Sequence, residues 1–196
     1  MVFENESRPL TLAEMTVNGE YILGYLLSKG WSKNAVCGML GNMQSESSIN
    51  PVRWQSDISY DHDPYIHVAG HGYGLVQWTP FNKYTVWCRD NGIPYNKMTS
   101  NLARIDWEVE NNQQWINSLD PKNRTFKEFS VSLDSPYDLA MAFIQAYERP
   151  ANPNQPIRGD QAVYWYETLT GEIIEPPETE KDNKIYHLWL SHAMRW

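Results

Sequence analysis

Cysteine is scarce in this chain of 196 residues, where Cys37 and Cys88 are the only two. Two cysteines are too few for the disulfide framework that stabilises small secreted domains with little core. Both lie in segments with a helix-like pattern, so the favoured interpretation is two buried free thiols. A single bridge between them is the alternative.

Long hydrophobic runs are missing as well. No stretch approaches the ~20 consecutive apolar residues of a membrane-spanning helix. Residues 1–10 lack the basic start and the apolar run of a secretory signal. We therefore expect no membrane span, synthesis in a cytosol, and any export by another route.

Basic residues are in the minority. The chain has 16 Lys and Arg against 24 Asp and Glu, which gives a formal net charge of −8 at pH 7. A nucleic-acid-binding domain usually carries a basic patch or stripe, and none is visible here. Nucleic acid is therefore not an expected partner.

Hydrophobic and aromatic side chains, in contrast, are plentiful. The chain is 41% hydrophobic, with 9 Trp and 12 Tyr, which is enough for one globular domain with its own core. So many rings also suit a sugar-binding cleft, because flat apolar faces with a polar edge match pyranose rings. We expect this domain over 1–171, then a charged linker with two prolines over 172–184. The tail over 185–196 either begins a second domain or packs on the first.

Capping signals and apolar spacing predict six or seven helices. A β-like run at 73–78 predicts a small hairpin, with a long loop region over 51–78 as the alternative, so the expected fold is mainly α, of the α+β kind, with this region beside a cleft. The predicted helix starts are Thr11, Ser32, Thr79-Pro80, Thr125 and Ser135-Pro136. The last of these opens a helix over 137–148. Helical spacing predicts two further helices, over 100–119 and 159–169.

Glu46 is the candidate catalytic residue, because it falls where the second predicted helix ends. An acid that protonates a leaving oxygen must stay neutral near pH 7. The negative end of a helix dipole and burial beside the apolar residues of 40–49 would both favour the neutral form. On these grounds alone, a solvated Glu at a helix end explains the residue equally well.

Three acidic residues in the following loop are candidates for a second carboxylate. Glycoside hydrolysis commonly needs one protonated acid and one ionised carboxylate on opposite sides of the bond. We favour Asp57, with Asp61, Asp63 or no fixed second carboxylate as alternatives.

Several strings in this chain resemble a known family. MLGNMQSESSINP at 39–51 and GYGLVQW at 72–78 resemble the lysozyme and lytic-transglycosylase superfamily. With FIQAYERPANPNQP at 143–156 and GDQAVYWYETL at 159–169, the chain is similar to the phage tail lysozyme family. Within it, the similarity is greatest to the N-terminal lysozyme domain of tail-knob proteins from short-tailed Bacillus phages.

The resemblance implies a lysozyme-like fold and a peptidoglycan hydrolase. It implies a muramidase that cuts the β-1,4 bond between N-acetylmuramic acid and N-acetylglucosamine, with Glu46 as proton donor and without a cofactor. It also places the protein in a virion tail, with cell-wall peptidoglycan and other phage tail proteins as partners. An acidic domain carried on a tail needs no electrostatic recruitment to an anionic wall.

The resemblance also suggests residues that bind the sugar. Gln77 lies where the family's β region lines the cleft. Tyr147 either faces the cleft or packs between helices, and Trp78 either stacks on a sugar or belongs to the core.

Other kinds of protein remain alternatives. A lytic transglycosylase, a free endolysin and a non-catalytic wall-binding tail module would all share the fold. A metal site would need the histidines of the 62–71 loop, but the i, i+4 pair His67 and His71 suits zinc only on a helix, so no metal is expected. A cysteine peptidase or amidase would use Cys37, which lies in mid-helix rather than at the helix N-terminus that activates a thiol.

Overall fold

The computed structural model describes residues 1–55, 64–65 and 70–171. This part of the chain is mainly helical, as predicted, with seven α-helices, a 3₁₀ turn at Asn117–Leu119 and a π-helical segment at Ile144–Glu148. The helices are α1 (Leu12–Ser28), α2 (Lys33–Ser47), α3 (Asn82–Asn91), α4 (Met98–Glu110), α5 (Phe126–Ser130), α6 (Pro136–Phe143) and α7 (Ile157–Thr168). The predicted linker and tail at 172–196 lie outside the described residues.

Four helices begin where their capping residues predicted. Thr11 and Thr125 each form a full capping box, in which the hydroxyl accepts a backbone N–H three residues on and a Glu side chain accepts the Thr N–H. Ser32 caps α2 and Ser135 caps α6 with one bond each, in which the Ser hydroxyl accepts a backbone N–H three residues on.

Two predicted helix boundaries are wrong. The Thr79 hydroxyl donates to the Gln77 carbonyl at 2.9 Å instead of capping, and α3 begins only at Asn82. The helix predicted over 100–119 ends at Glu110. Asn112 and Gln114 have positive φ angles of 46° and 65°, which a right-handed helix does not allow.

The predicted hairpin is not found among the described residues. The run 73–78 forms a tight turn with two isolated bridges, which join Tyr73 to Trp54 and to Trp78. Gly74 and Gln77 have φ angles of 84° and 49°. Because two left-handed residues reverse the chain within this short run, no length remains for paired strands.

Helix α2 lies at the centre of the packing, against α6 and α7. Two glycines make this close approach possible. A Cβ atom at Gly38 would lie 2.7 Å from the Leu139 Cβ, and one at Gly41 would lie 2.2 Å from the Arg158 carbonyl oxygen. The C-terminal end of α2 is thereby held against α7.

Both cysteines are buried free thiols, as expected. Burial raises the pKa of Cys37 and that of Cys88 to about 12. Within the described ranges, no helix has the length and apolar character needed to cross a membrane.

Candidate active site

A cleft of about 490 Å³ opens at the C-terminal end of α2. Its other walls come from residues 53–55, from the turn at 76–79 and from residues 147–150. Glu46, Gln77, Trp78 and Tyr147, all predicted from the sequence to act in catalysis or sugar binding, line this one cleft.

Glu46 lies in the last turn of α2, with 22% of its side chain exposed. Its Oε1 atom is 2.7 Å from Nη2 of Arg158, whose own side chain is only 6% exposed. Arg158 is fixed by two further bonds, from Nη1 to Asn42 Oδ1 at 3.1 Å and from Nε to Gln155 Oε1 at 2.8 Å. The carboxylate of Glu46 is therefore held in place by a buried cation.

The surroundings of Glu46 differ from those expected. Leu40, Met43 and Ile49 are fully buried in the core. The carboxylate itself faces Arg158 instead, so the apolar environment predicted for it is wrong. The physical reason is the close α2–α7 contact at Gly41, which brings Arg158 to the end of α2.

Glu148 is a second carboxyl group in the cleft, and sequence reasoning missed it. It ends the π-helical segment, and Arg149 follows in a left-handed conformation. Its Oε1 atom is buried and has no hydrogen-bond partner among the described residues. Burial raises the pKa of Glu148 well above its ordinary value, and the charge of Glu46 raises it further, against the opposing effects of Arg158 and Arg149.

Two predicted sugar contacts, Trp78 and Tyr147, meet behind the cleft at the buried carboxylate of Glu108. The Trp78 Nε1 donates to it at 3.0 Å, the Tyr147 hydroxyl at 2.5 Å and the Arg104 Nε at 2.8 Å. Trp78 is 3% exposed and Tyr147 is 1% exposed. Both side chains line the cleft, but their polar atoms are already bonded to Glu108, so only their ring carbons are left to contact a substrate.

Gln77 is held by its own turn. Its Nε2 donates to the carbonyls of Arg53 and Gly74 at 3.0 and 2.9 Å. Leu75 ties the turn to two helices. Its carbonyl accepts from the hydroxyl of Ser47 in α2 at 2.8 Å, and its N–H donates to Oδ1 of Asn101 in α4 at 3.0 Å. These bonds place Gln77 and Glu46 in the walls of the same cleft.

Comparison with known proteins shows the family of this chain. A family model described as phage tail lysozyme matches residues 17–169. The chain belongs to the phage tail lysozyme family. It is 54% identical over 171 residues to "Morphogenesis protein 1" of Bacillus phage B103. The aligned part covers 87% of this chain but 44% of that relative, so the chain spans less than half of the relative's length. The resemblance stated from the sequence is confirmed.

Some predicted site residues of this family member cannot be placed. Asp57, Asp61 and Asp63 lie outside the described residues, as do His62 and His67. Across the described ranges, no three His, Cys, Asp or Glu side chains come together in a way that could hold a metal.

Cys37 lies within α2, fully buried. Because its burial raises the pKa of the thiol to about 12, almost no thiolate forms near neutral pH. This argues against the cysteine-nucleophile alternative.

Three cationic side chains line the cleft of this acidic member of the phage tail lysozyme family, namely Arg53, Lys83 and Arg149. The Nη1 atom of Arg149 donates to the carbonyls of Gln114 and Ala146, which fixes its side chain at the rim. These three positive charges in the cleft contrast with the chain as a whole, whose formal net charge is −8.

Proposed function

We propose that this chain is a muramidase, which cleaves the β-1,4 bond between N-acetylmuramic acid and N-acetylglucosamine with Glu46 as the proton donor. The observation that carries the proposal is the position of Glu46, at a helix end in the wall of an open cleft. A volume of about 490 Å³ lies within the range of roughly 300–1,000 Å³ that is typical of small-ligand sites.

The chemistry needs an acid on one side of the bond and commonly a carboxylate on the other. The acid protonates the glycosidic oxygen as its bond to the anomeric carbon breaks. Asp57 stays our prediction for the ionised carboxylate, with Asp61, Asp63 or none as alternatives. A separation of about 5 Å between the two carboxyl groups would give retention of configuration, and about 6.5–9.5 Å would give inversion.

The cations of the cleft support peptidoglycan as the substrate. The peptide stems on N-acetylmuramic acid carry carboxylates, which Arg53, Lys83 and Arg149 would attract into a cleft of an otherwise acidic protein. Gln77, Tyr147 and Trp78 stay predicted sugar contacts, the last two through ring carbons.

The similarity to a phage morphogenesis protein supports a role in the virion. We propose that the domain is carried in the phage tail beside other tail proteins and opens the host wall locally at infection. A free endolysin, acting from inside the host at lysis, is the alternative.

Release of reducing sugar ends from purified peptidoglycan tests the proposal. Glu46→Gln keeps the shape of the side chain but removes its proton, so it should fold and bind the wall but release no reducing ends. Glu167→Gln, on the exposed face of α7, is the matched control and should stay fully active. An active Glu46→Gln protein would show that Glu46 is not the acid. An inactive wild type would favour a non-catalytic tail module.

A further inference from the structure

Two carboxyl groups line the cleft, and a buried cation from α7 is ion-paired with one of them. The two groups are Glu46 and Glu148, and Glu46 takes the ion pair with Arg158. Among the described residues, no cation lies within ion-pair distance of Glu148, because Arg149 donates to main-chain carbonyls instead. The positive charge therefore serves one carboxylate and leaves the other without a partner.

The buried oxygen of Glu148 makes its ionised form costly. Its Oε1 atom has no donor among the described residues. A buried carboxylate oxygen without a hydrogen bond loses its solvation without compensation, whereas a neutral carboxyl group loses much less. Two carboxyl groups in one site also repel each other when both are ionised, so that one of them retains its proton.

We propose that Glu46 and Glu148 hold a single proton between them, that Glu148 carries it at rest, and that this pair supplies the proton of the glycosidic reaction. The last part rests on the proposed function, and the first two parts do not. Glu148 is then the group that keeps the cleft protonated while Arg158 holds Glu46 in place.

The proton balance of the step is closed. Glu46 takes the proton from Glu148 and gives it to the glycosidic oxygen, and the bond from that oxygen to the anomeric carbon breaks with the electron pair left on oxygen. A water molecule then adds to the anomeric carbon and returns one proton to the pair. In the interval both carboxylates are ionised, close to the positive charges of Arg158 and Arg149.

Other charged groups face the pair from every side of the cleft. The pKa of Glu148 is raised chiefly by burial and then by the charge of Glu46, while Arg158 and Arg149 lower it and Glu108 raises it. These groups are Arg158 from α7, Arg149 beside it in sequence, Glu108 from α4, the Tyr147 hydroxyl, and Arg53 and Lys83 of the cleft walls.

The first test is a titration that does not depend on activity. In protein labelled with ¹³C at the Glu side-chain carboxyl carbons, the signal of Glu148 should titrate well above the ordinary value of about 4.3. Its assignment follows from through-bond correlation and from its loss in Glu148→Gln. In Glu46→Gln the midpoint should fall measurably, because the neighbouring negative charge is gone. A Glu148 midpoint in the ordinary range, or one that Glu46→Gln does not move, would overturn the shared proton.

The second test is the pH profile of kcat/KM for Glu148→Gln. Without Glu148, the cleft loses the group that retains the proton at rest, while Glu46 keeps its ion pair with Arg158. The alkaline limb of the profile should move to lower pH, so that activity is lost near neutrality and recovered in acid. If Glu148 had only a structural role, Glu148→Gln would lower kcat/KM by the same factor at every pH. That result would overturn the proposal. Glu167→Gln is the control that should leave both the titration and the profile unchanged.

Discussion

Gly41→Ala tests the packing that builds the cleft. A Cβ atom at this position would lie 2.2 Å from the Arg158 carbonyl oxygen and 2.8 Å from the Ala162 nitrogen. Contacts under 3.0 Å essentially never occur for real Cβ atoms, so α7 must retreat by at least 0.8 Å, the difference between 3.0 and 2.2 Å. Both neighbouring atoms are backbone atoms, which cannot rotate away.

The expected loss of stability follows from two opposing effects. Overpacking of a dense core costs about 1–3 kcal/mol, and a backbone clash belongs at the upper end. Replacing a helical glycine by alanine contributes about 1 kcal/mol of helix propensity in the other direction. We expect the free energy of unfolding of Gly41→Ala to fall by roughly 2 kcal/mol.

Gly19→Ala is the matched control. Gly19 is also a buried glycine within a helix, but its Cβ would meet nothing closer than the Leu169 Cδ1 at 3.4 Å, an ordinary contact. This variant should gain up to about 1 kcal/mol. Thermal unfolding should separate the two variants by roughly 6–12 °C for a domain of this size.

Gly41→Ala should also lose activity while folded. The clash displaces Arg158, which holds Glu46, and a misplacement of about 1 Å near a catalytic group can cost around a hundredfold in rate. Equal unfolding temperatures for the two alanine variants, together with full activity of Gly41→Ala, would refute the reasoning.

Three further outcomes follow from single contacts. Cys37→Ser should keep its kcat/KM in a lysis assay, while urea unfolding should show a loss of about 1–3 kcal/mol of stability, because the variant buries a hydroxyl group. Loss of activity in a folded variant would support Cys37 as a nucleophile. Glu108→Gln should lose about 1–3 kcal/mol, because one amide oxygen replaces a carboxylate that serves three donors, and an unchanged urea midpoint would contradict this. Lys122 lowers the pKa of Asp134, so its stabilising effect is present above the ordinary Asp value of about 3.9 and is lost as pH falls below it. Lys122→Met should therefore destabilise the protein at pH 7 but not at pH 2, and equal destabilisation at both would contradict the ion pair.

Helix starts could be predicted from the sequence because their determinants are local. The capping boxes at Thr11 and Thr125 depend on a Glu three residues on, and both helices begin there. The start predicted at Thr79 failed because the hydroxyl has a competing local partner, the Gln77 carbonyl. A pattern of residue types does not decide between two such partners.

The turn at 73–78 could not be predicted because distant residues fix its shape. Gln77 is held in a left-handed conformation by bonds that include the Arg53 carbonyl, and Leu75 is bonded to Ser47 and Asn101. The β-like run of residue types therefore indicated a strand where tertiary contacts impose a turn.

In the candidate site too, local features could be predicted from the sequence and tertiary contacts could not, as Glu46 and Glu148 show. The place of Glu46 at a helix end could be predicted, because α2 ends where its apolar spacing ends. Its partner Arg158 could not, because that contact depends on the approach of α7 at Gly41. Glu148 had a signal that went unused, a Glu at the end of a predicted helix just before Pro150, the same pattern that singled out Glu46.

Mass spectrometry of the muropeptides released in water labelled with heavy oxygen shows which bond this cleft breaks and whether water enters it. If the cleft hydrolyses the bond on the reducing side of N-acetylmuramic acid, the fragments should end in reducing N-acetylmuramic acid and carry one labelled oxygen from the solvent. Fragments that end in reducing N-acetylglucosamine, or in an unlabelled 1,6-anhydro ring lighter by one water, would contradict hydrolysis of that bond.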